Sequence, residues 1–196
     1  MLAVAEVAPE LREEVRCRCC DSQSFTAARA IGLYEKALLE SVLLLKRQPQ
    51  VSQHVEELFA AAARRKPVNA STRIVPVPLH HKKLKARGFN QASILAHSLS
   101  KSLSLPVDQV SLLRVSGSEK YRAGLDAQGR QETVAGAFVV RHPRLVANED
   151  ILLVDDVFTT GATVSACAEA LTRAGARSVS VLTIARAIGP RRGNIF

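Results

Sequence analysis

The segment Val154-Asp-Asp-Val-Phe-Thr-Thr-Gly-Ala-Thr163 concentrates residue types that can hold a phosphorylated sugar. Small residues let backbone N–H groups close around a phosphate, and Gly161 permits a positive φ. The hydroxyls of Thr159, Thr160 and Thr163 add donors, and the helix that follows this segment adds the partial positive charge of its N-terminus. Asp155 and Asp156 would repel a phosphate that touched them. They suit instead the acceptance of hydrogen bonds from sugar hydroxyls, or the holding of water on Mg²⁺. Phosphate on one side and hydroxyl acceptors on the other describe a ribose 5-phosphate site. The segment lacks the Gly-Lys-Ser/Thr ending of a Walker loop.

The flanking elements set this loop at a sheet edge. Ile151-Leu-Leu-Val154 is an unbroken apolar run, as in a strand buried on both faces of a parallel sheet, with the two carboxylates expected at its end. A helix to about Ala174 with Gly175 at its cap and a strand at Val179–Ile184 complete a strand–helix–strand crossover. That geometry places the loop at the carboxyl edge, where α/β folds bind ligands. Upstream, Ile74-Val-Pro-Val-Pro-Leu79 reads as a short strand that opens at its prolines into a basic loop, His80 to Phe89. Asn90 caps a helix carrying Ala92, Leu95, Ala96, Leu99 and Leu103. Val110–Arg114 and Gly136–Val140 read as further strands, and the polar stretch from Ser116 to Glu132 as a long loop of the kind that forms lids. Helices are expected over Leu33–Arg47 and from Ser52, an N-cap, to the basic end before Pro67.

Charge is distributed unevenly. The net charge is +9, and no acidic residue occurs between Glu57 and Asp108. That stretch holds Arg64, Arg65, Lys66, Arg73, Lys82, Lys83, Lys85, Arg87 and Lys101, and the remaining Lys and Arg balance the acids. The excess calls for an anionic partner, either a phosphorylated metabolite or a nucleic-acid backbone, or else forms a solvated basic face. Aromatic residues number only two Tyr and six Phe, with no Trp, a poor set for stacking the bases of a single strand.

A chain of 196 residues accommodates one core, with or without a small appended subdomain. No apolar run is long enough to span a bilayer, and the first residues lack a basic n-region, so a cytoplasmic location is expected. Three of the four cysteines crowd at Cys17, Cys19 and Cys20, unlike a disulfide framework. Cys17-Arg-Cys-Cys20 offers one chelating pair, and His54 is the first Cys or His to follow it, so zinc at Cys17 and Cys20 is not expected in a monomer. Cys167 reads as a small core residue. His80 and His81 sit where either could donate to an oxyanion.

Val154-Asp-Asp-Val-Phe-Thr-Thr-Gly-Ala-Thr163 resembles the signature of type I phosphoribosyltransferases. Val75-Pro-Val-Pro-Leu-His80, Arg87-Gly-Phe-Asn-Gln-Ala92 and Gly136-Ala-Phe138 narrow the likeness to the ComF family of competence-associated phosphoribosyltransferase-like proteins, from about Cys17 to Arg186. The resemblance implies an α/β fold of type I phosphoribosyltransferase type, mainly parallel, with helices on its faces. It implies residues 73–196 as the core and residues 1–72 as a small helical hood with the remnant of a zinc ribbon. It also implies phosphoribosyl pyrophosphate (PRPP) as ligand with Mg²⁺ carried on it. Asp155 and Asp156 would meet the ribose hydroxyls, Thr159, Thr160, Gly161, Ala162 and Thr163 the 5′-phosphate, and Pro78, Leu79 and His80 the pyrophosphate, near Arg87. Arg130 fits the family's loop, as does Leu125, whereas Arg122 and Thr133 depart from it. Asp155, Asp156, Arg87 and Arg130 are therefore the candidate catalytic residues for displacement of pyrophosphate from ribose C1. The alternatives are a non-catalytic accessory of DNA uptake with DNA or the competence machinery as partner, and a PRPP-sensing regulator. A homodimer is the arrangement in which zinc could be shared.

Overall fold

The structure is a computed structural model that describes residues 23–115 and 136–187. Its centre is the strand β5 (Asp150–Phe158), whose Ile151, Leu152, Leu153 and Val154 are fully buried because both faces of the sheet are covered. β6 (Ser178–Arg186) lies on one side and β2 (Arg73–Pro76) on the other, while β1 (Ala27–Leu33) borders β6, giving the order β1-β6-β5-β2 with every pairing parallel. The apolar run around Ile151 thus occupies the two-sided buried position that its lack of alternation predicts.

Helices cover the two faces. On one face lie α1 (Lys36–Leu45), α2 (Gln53–Ala63) and α4 (Gln91–Leu103), burying Val42, Leu45, Val55, Phe59, Leu95 and Leu99 against Leu152, Val154, Leu182 and Ile184. α4 buries Ala92, Leu95, Ala96 and Leu99, the three-and-four spacing of one helical face. Its N-terminus is capped by the Asn90 side chain, which accepts from the Ala92 N–H at 3.1 Å. The other face carries α5 (Ala162–Arg173), which turns Val164, Cys167, Ala168 and Leu171 inward. It also carries the antiparallel pair β3 (Leu112–Arg114) and β4 (Phe138–Val140).

The strands expected at 110–114 and 136–140 form at Leu112–Arg114 and Phe138–Val140 and pair with each other outside the parallel sheet. Three sequence expectations change. The region read as a helical hood, 1–72, contributes β1 to the same sheet, and α1 and α2 share the core of that sheet. The two aspartates do not end β5, because Asp155, Val157 and Phe158 stay in register with Thr183, Ala185 and Arg186 of β6. The basic loop His80–Phe89 contains a short helix, α3 (His81–Arg87). His80 Nδ1 accepts from the Lys82 N–H at 3.3 Å, and Gly88, at φ 83°, ends the helix by donating its N–H to the Leu84 carbonyl at 2.8 Å. α3 buries no residue, so no apolar stripe marks it in the sequence.

Candidate functional site

β2 and β5 run parallel with Pro76 opposite Val154, and the Val77 N–H donates to the Val154 carbonyl at 2.9 Å. Pro76 and Pro78 supply no N–H, so pairing stops there and the chain leaves the sheet while β5 continues to Phe158. Pro78, Leu79 and His80 consequently open at the same sheet end as Asp155 and Asp156. Asn90 fixes this exit: its Nδ2 donates to the Val77 carbonyl at 3.0 Å while its Oδ1 caps α4. The sequence marks Asn90 as a helix cap, whereas its second bond connects segments that only the fold brings together.

Asp156 is buried, at 6% exposure, and Asp155 is half-buried. Each carboxylate turns back on the chain: Asp155 Oδ1 accepts from the Asp156 N–H and Asp156 Oδ1 from the Val157 N–H, both at 2.9 Å. Lys46, directly after α1, brings its Nζ to 3.2 Å from Asp156 Oδ2. That oxygen is otherwise without a hydrogen-bond partner, so the contact is an ion pair lacking hydrogen-bond alignment. Burial, with the Asp156 carboxylate beside it, pushes the Asp155 carboxyl up from 3.8 to about 8, while the Asp156 N–H and Lys46 oppose the rise. At the opposite end of the same strand, hydrogen bonds from Arg177 and Ser178 hold Asp150 below the usual carboxylate range. The contrast follows from solvent and partners, since both groups are aspartates on β5.

Past Phe158 the chain turns through exposed Thr159 and Thr160 into Gly161, which sits at φ 82°. A Cβ on Gly161 would lie 2.8 Å from the Phe158 ring. Phe25 holds that ring edge-to-face at 6.0 Å, so it has little room to withdraw. Thr160 Oγ1 accepts from the Ala162 N–H at 3.4 Å, and half-buried Thr163 stands in the first turn of α5. Helix starts of this kind present backbone N–H groups to an anion. Beneath Asp155, Cys167 is fully buried, and burial with the Asp155 charge pushes its thiol well above the usual range. Arg114 of β3, 5.4 Å above the Phe138 ring, acts on the same thiol in the opposite direction.

Arg87 ends α3 and donates to the Gln91 side chain. Lys82, Lys83 and Lys85 are exposed on α3, and the His80 and His81 rings lie 4.4 Å apart. Arg122, Leu125, Arg130 and Thr133, the cysteines Cys17, Cys19 and Cys20, and the whole stretch read as a loop at 116–132 lie outside the described residues. Among the described residues no group of three or more His, Cys, Asp and Glu side chains gathers to hold a metal ion. The carboxylates of Asp155 and Asp156 are hard oxygen donors suited to Mg²⁺, but each has one oxygen bonded to backbone. They therefore fit the ion through water or through a ligand that brings it.

The family model described as phosphoribosyl transferase domain matches residues 84–192, more than half of the chain. The chain is 36% identical over 118 residues to Competence protein F of Haemophilus influenzae, covering 58% of this chain and 50% of that protein. It is 30% identical over 156 residues to DNA utilization protein YhgH of Escherichia coli O157:H7, covering 78% of this chain and 67% of that one. The chain belongs to the ComF family of phosphoribosyltransferase-like proteins. Its parallel sheet flanked by helices is the type I phosphoribosyltransferase fold. It spans half the length of the Haemophilus ComF relative. The purine phosphoribosyltransferase of Pyrococcus horikoshii superposes with a TM-score of 0.43 at 14% identity, over 85% of this chain and 97% of that one.

No spacing in the sequence points to Lys46, which is separated from the signature by most of the chain. Its role depends on α1 packing against β6, a tertiary contact. The only cue is its place after Leu45 on an amphipathic helix, where a long side chain can run along apolar surface and deliver its charge beyond it.

Proposed function

We propose that this ComF-family chain binds PRPP carrying Mg²⁺. The 5′-phosphate lies in the loop Thr159–Thr163, the ribose hydroxyls meet Asp155 and Asp156, and the pyrophosphate lies beside Pro78–His80 with Arg87 near. The observation that carries this reading is the parallel register of β2 and β5, which opens both loops at one sheet end around a carboxylate pair. The remaining support is local: Gly161 in its left-handed conformation, and a helix start immediately after it.

If phosphoribosyl transfer occurs, the bond from ribose C1 to pyrophosphate breaks as one to an acceptor forms. When bound, Mg²⁺ would neutralise charge on the departing pyrophosphate. The chain's own part is to fix the sugar between the threonine loop and the aspartates and to meet the leaving group with cations. Calorimetry with PRPP and Mg²⁺ should detect binding by the wild type, and the double variant Asp155→Ala, Asp156→Ala should lose at least tenfold, the order expected for charge-assisted hydrogen bonds. Unchanged binding by a folded double variant overturns the site. Pyrophosphate release across a panel of bases separates transfer from binding alone.

A second reading is favoured by the exposed cations of α3 and by the relatives named for competence and DNA utilization. In it, Lys82, Lys83 and Lys85 track a DNA backbone and the ribose phosphate pocket serves as a sensor. One set of variants separates the two. Replacing Arg87 and one of these lysines should weaken PRPP far more than ribose 5-phosphate if the cations serve the pyrophosphate. Equal weakening of both, with a less steep salt dependence of DNA binding, establishes the DNA reading instead.

A further inference from the structure

We propose that Lys46 is a positioning residue of the sugar site, a built-in counter-charge that orients the Asp155–Asp156 pair to receive ribose hydroxyls. The proposal rests on the ribose phosphate reading above and adds a residue from outside the signature. Lys46 follows fully buried Leu45, and its own N–H donates to the Val42 carbonyl at 3.1 Å, so its backbone is fixed at the end of α1. From there Nζ reaches to 3.2 Å from Asp156 Oδ2, an oxygen cut off from solvent and without a hydrogen-bond partner.

The arrangement follows from charge. Two adjacent carboxylates on one strand repel each other, and Asp156 is almost wholly removed from water. Among the described residues, charged and titratable groups reach the pair, or the thiol beside it, from α1, α5 and β3. Lys46 comes from the end of α1, Cys167 from α5 beneath Asp155, and Arg114 from β3 acts on the pair's neighbour Cys167. On β6 the register partner of Asp155 is Thr183, which carries no charge. Lys46 meets an oxygen of this pair directly, and it also opposes the rise of the Asp155 carboxyl. With its Oδ1 on the Val157 N–H and its Oδ2 at Lys46, the Asp156 carboxylate is held in a single orientation. A preset orientation spares the sugar from ordering it on binding.

The test compares wild type, Lys46→Met and Lys46→Arg in two measurements. Calorimetry follows ribose 5-phosphate, which lacks the pyrophosphate, from pH 6 to 9. Carboxyl NMR follows proton release by the aspartate pair in the ligand-free proteins. Lys46→Met should bind about tenfold more weakly near neutral pH, as when a disordered Asp156 carboxylate loses one charge-assisted hydrogen bond to the sugar. The deficit relative to wild type should shrink as pH rises, and NMR should show proton release displaced to higher pH. Lys46→Arg should restore most of both. If the wild type binds and Lys46→Met matches it, Lys46 has no role and the ribose site stands. Tighter binding by Lys46→Met overturns the proposal by making Lys46 a competitor of the sugar. A deficit that is the same at every pH, or an unmoved proton release, reduces Lys46 to general attraction for phosphate and also overturns it. Absence of ribose 5-phosphate binding by the wild type removes the ribose reading itself, and the proposal with it.

Discussion

Replacing Asp155 by Asn should make the protein relatively more stable as pH rises. In the folded chain burial and the Asp156 carboxylate keep a proton on Asp155 up to about pH 8, whereas the ordinary value is 3.8. Between those values the folded state binds a proton that the unfolded chain has released, so stability must fall as pH increases. Each unit of pH removes at most about 1.4 kcal/mol, which sets a ceiling of about 4 kcal/mol between pH 5 and 8. The residue keeps part of its surface in solvent and Lys46 stands near, so about 2 kcal/mol is the expected response. That is a large share of the ~5–15 kcal/mol that holds a typical domain together. Asn keeps the shape and cannot titrate. Urea unfolding of both proteins at half-unit steps of pH reads the effect, since titrating groups that do not feel the Asp155 charge cancel in the difference. A difference that is constant from pH 5 to 8, or an Asp155→Asn variant that loses ground to the wild type as pH rises, would show that the folded chain does not hold a proton on Asp155.

Gly161→Ala should lower stability by at least ~1–2 kcal/mol, the cost of a side chain in the left-handed region, with a further loss because the new Cβ meets a Phe158 ring that Phe25 restrains. Chemical denaturation reads the loss, and a variant as stable as wild type would show that the turn rearranges freely. Leu152→Ala, at the fully buried centre of β5, should cost ~2–5 kcal/mol in the same assay while leaving the threonine loop intact.

Much of the sheet's buried centre is legible in the sequence because a parallel strand buried on both faces leaves an unbroken apolar run, as Ile151–Val154 does. α4 and α5 are legible for a similar reason, since each must turn one stripe inward at helical spacing. β1 is not. Ala27-Ala-Arg-Ala-Ile-Gly-Leu33 holds a single β-branched residue and no alternation, and it becomes a strand through the backbone partners that β6 offers, from Ala27 with Ser180 to Leu33 with Arg186. α3 escapes notice for the opposite reason. It buries no residue, so no apolar stripe marks it, and the histidine cap, the glycine stop and residues of fair helix propensity that favour it leave no periodic mark either.

The site divides along the same line. Asp155, Asp156 and Thr159 to Thr163 are legible together because a strand, its turn and the next helix bring them into one place with no help from distant chain. What tunes them arrives from elsewhere. Lys46 reaches Asp156 because Val42 and Leu45 seat α1 on the sheet, and Asn90 holds Val77 because α4 begins beside the exit of β2. A motif therefore specifies which groups can meet a sugar phosphate, while the protonation state and orientation of those groups depend on contacts that no spacing encodes. The consequence is that a chain can keep Asp155, Asp156 and every threonine of the turn and still differ in its response to pH. A change at position 46 alone would suffice, because that side chain lies outside the signature and inside the electrostatics of its carboxylates.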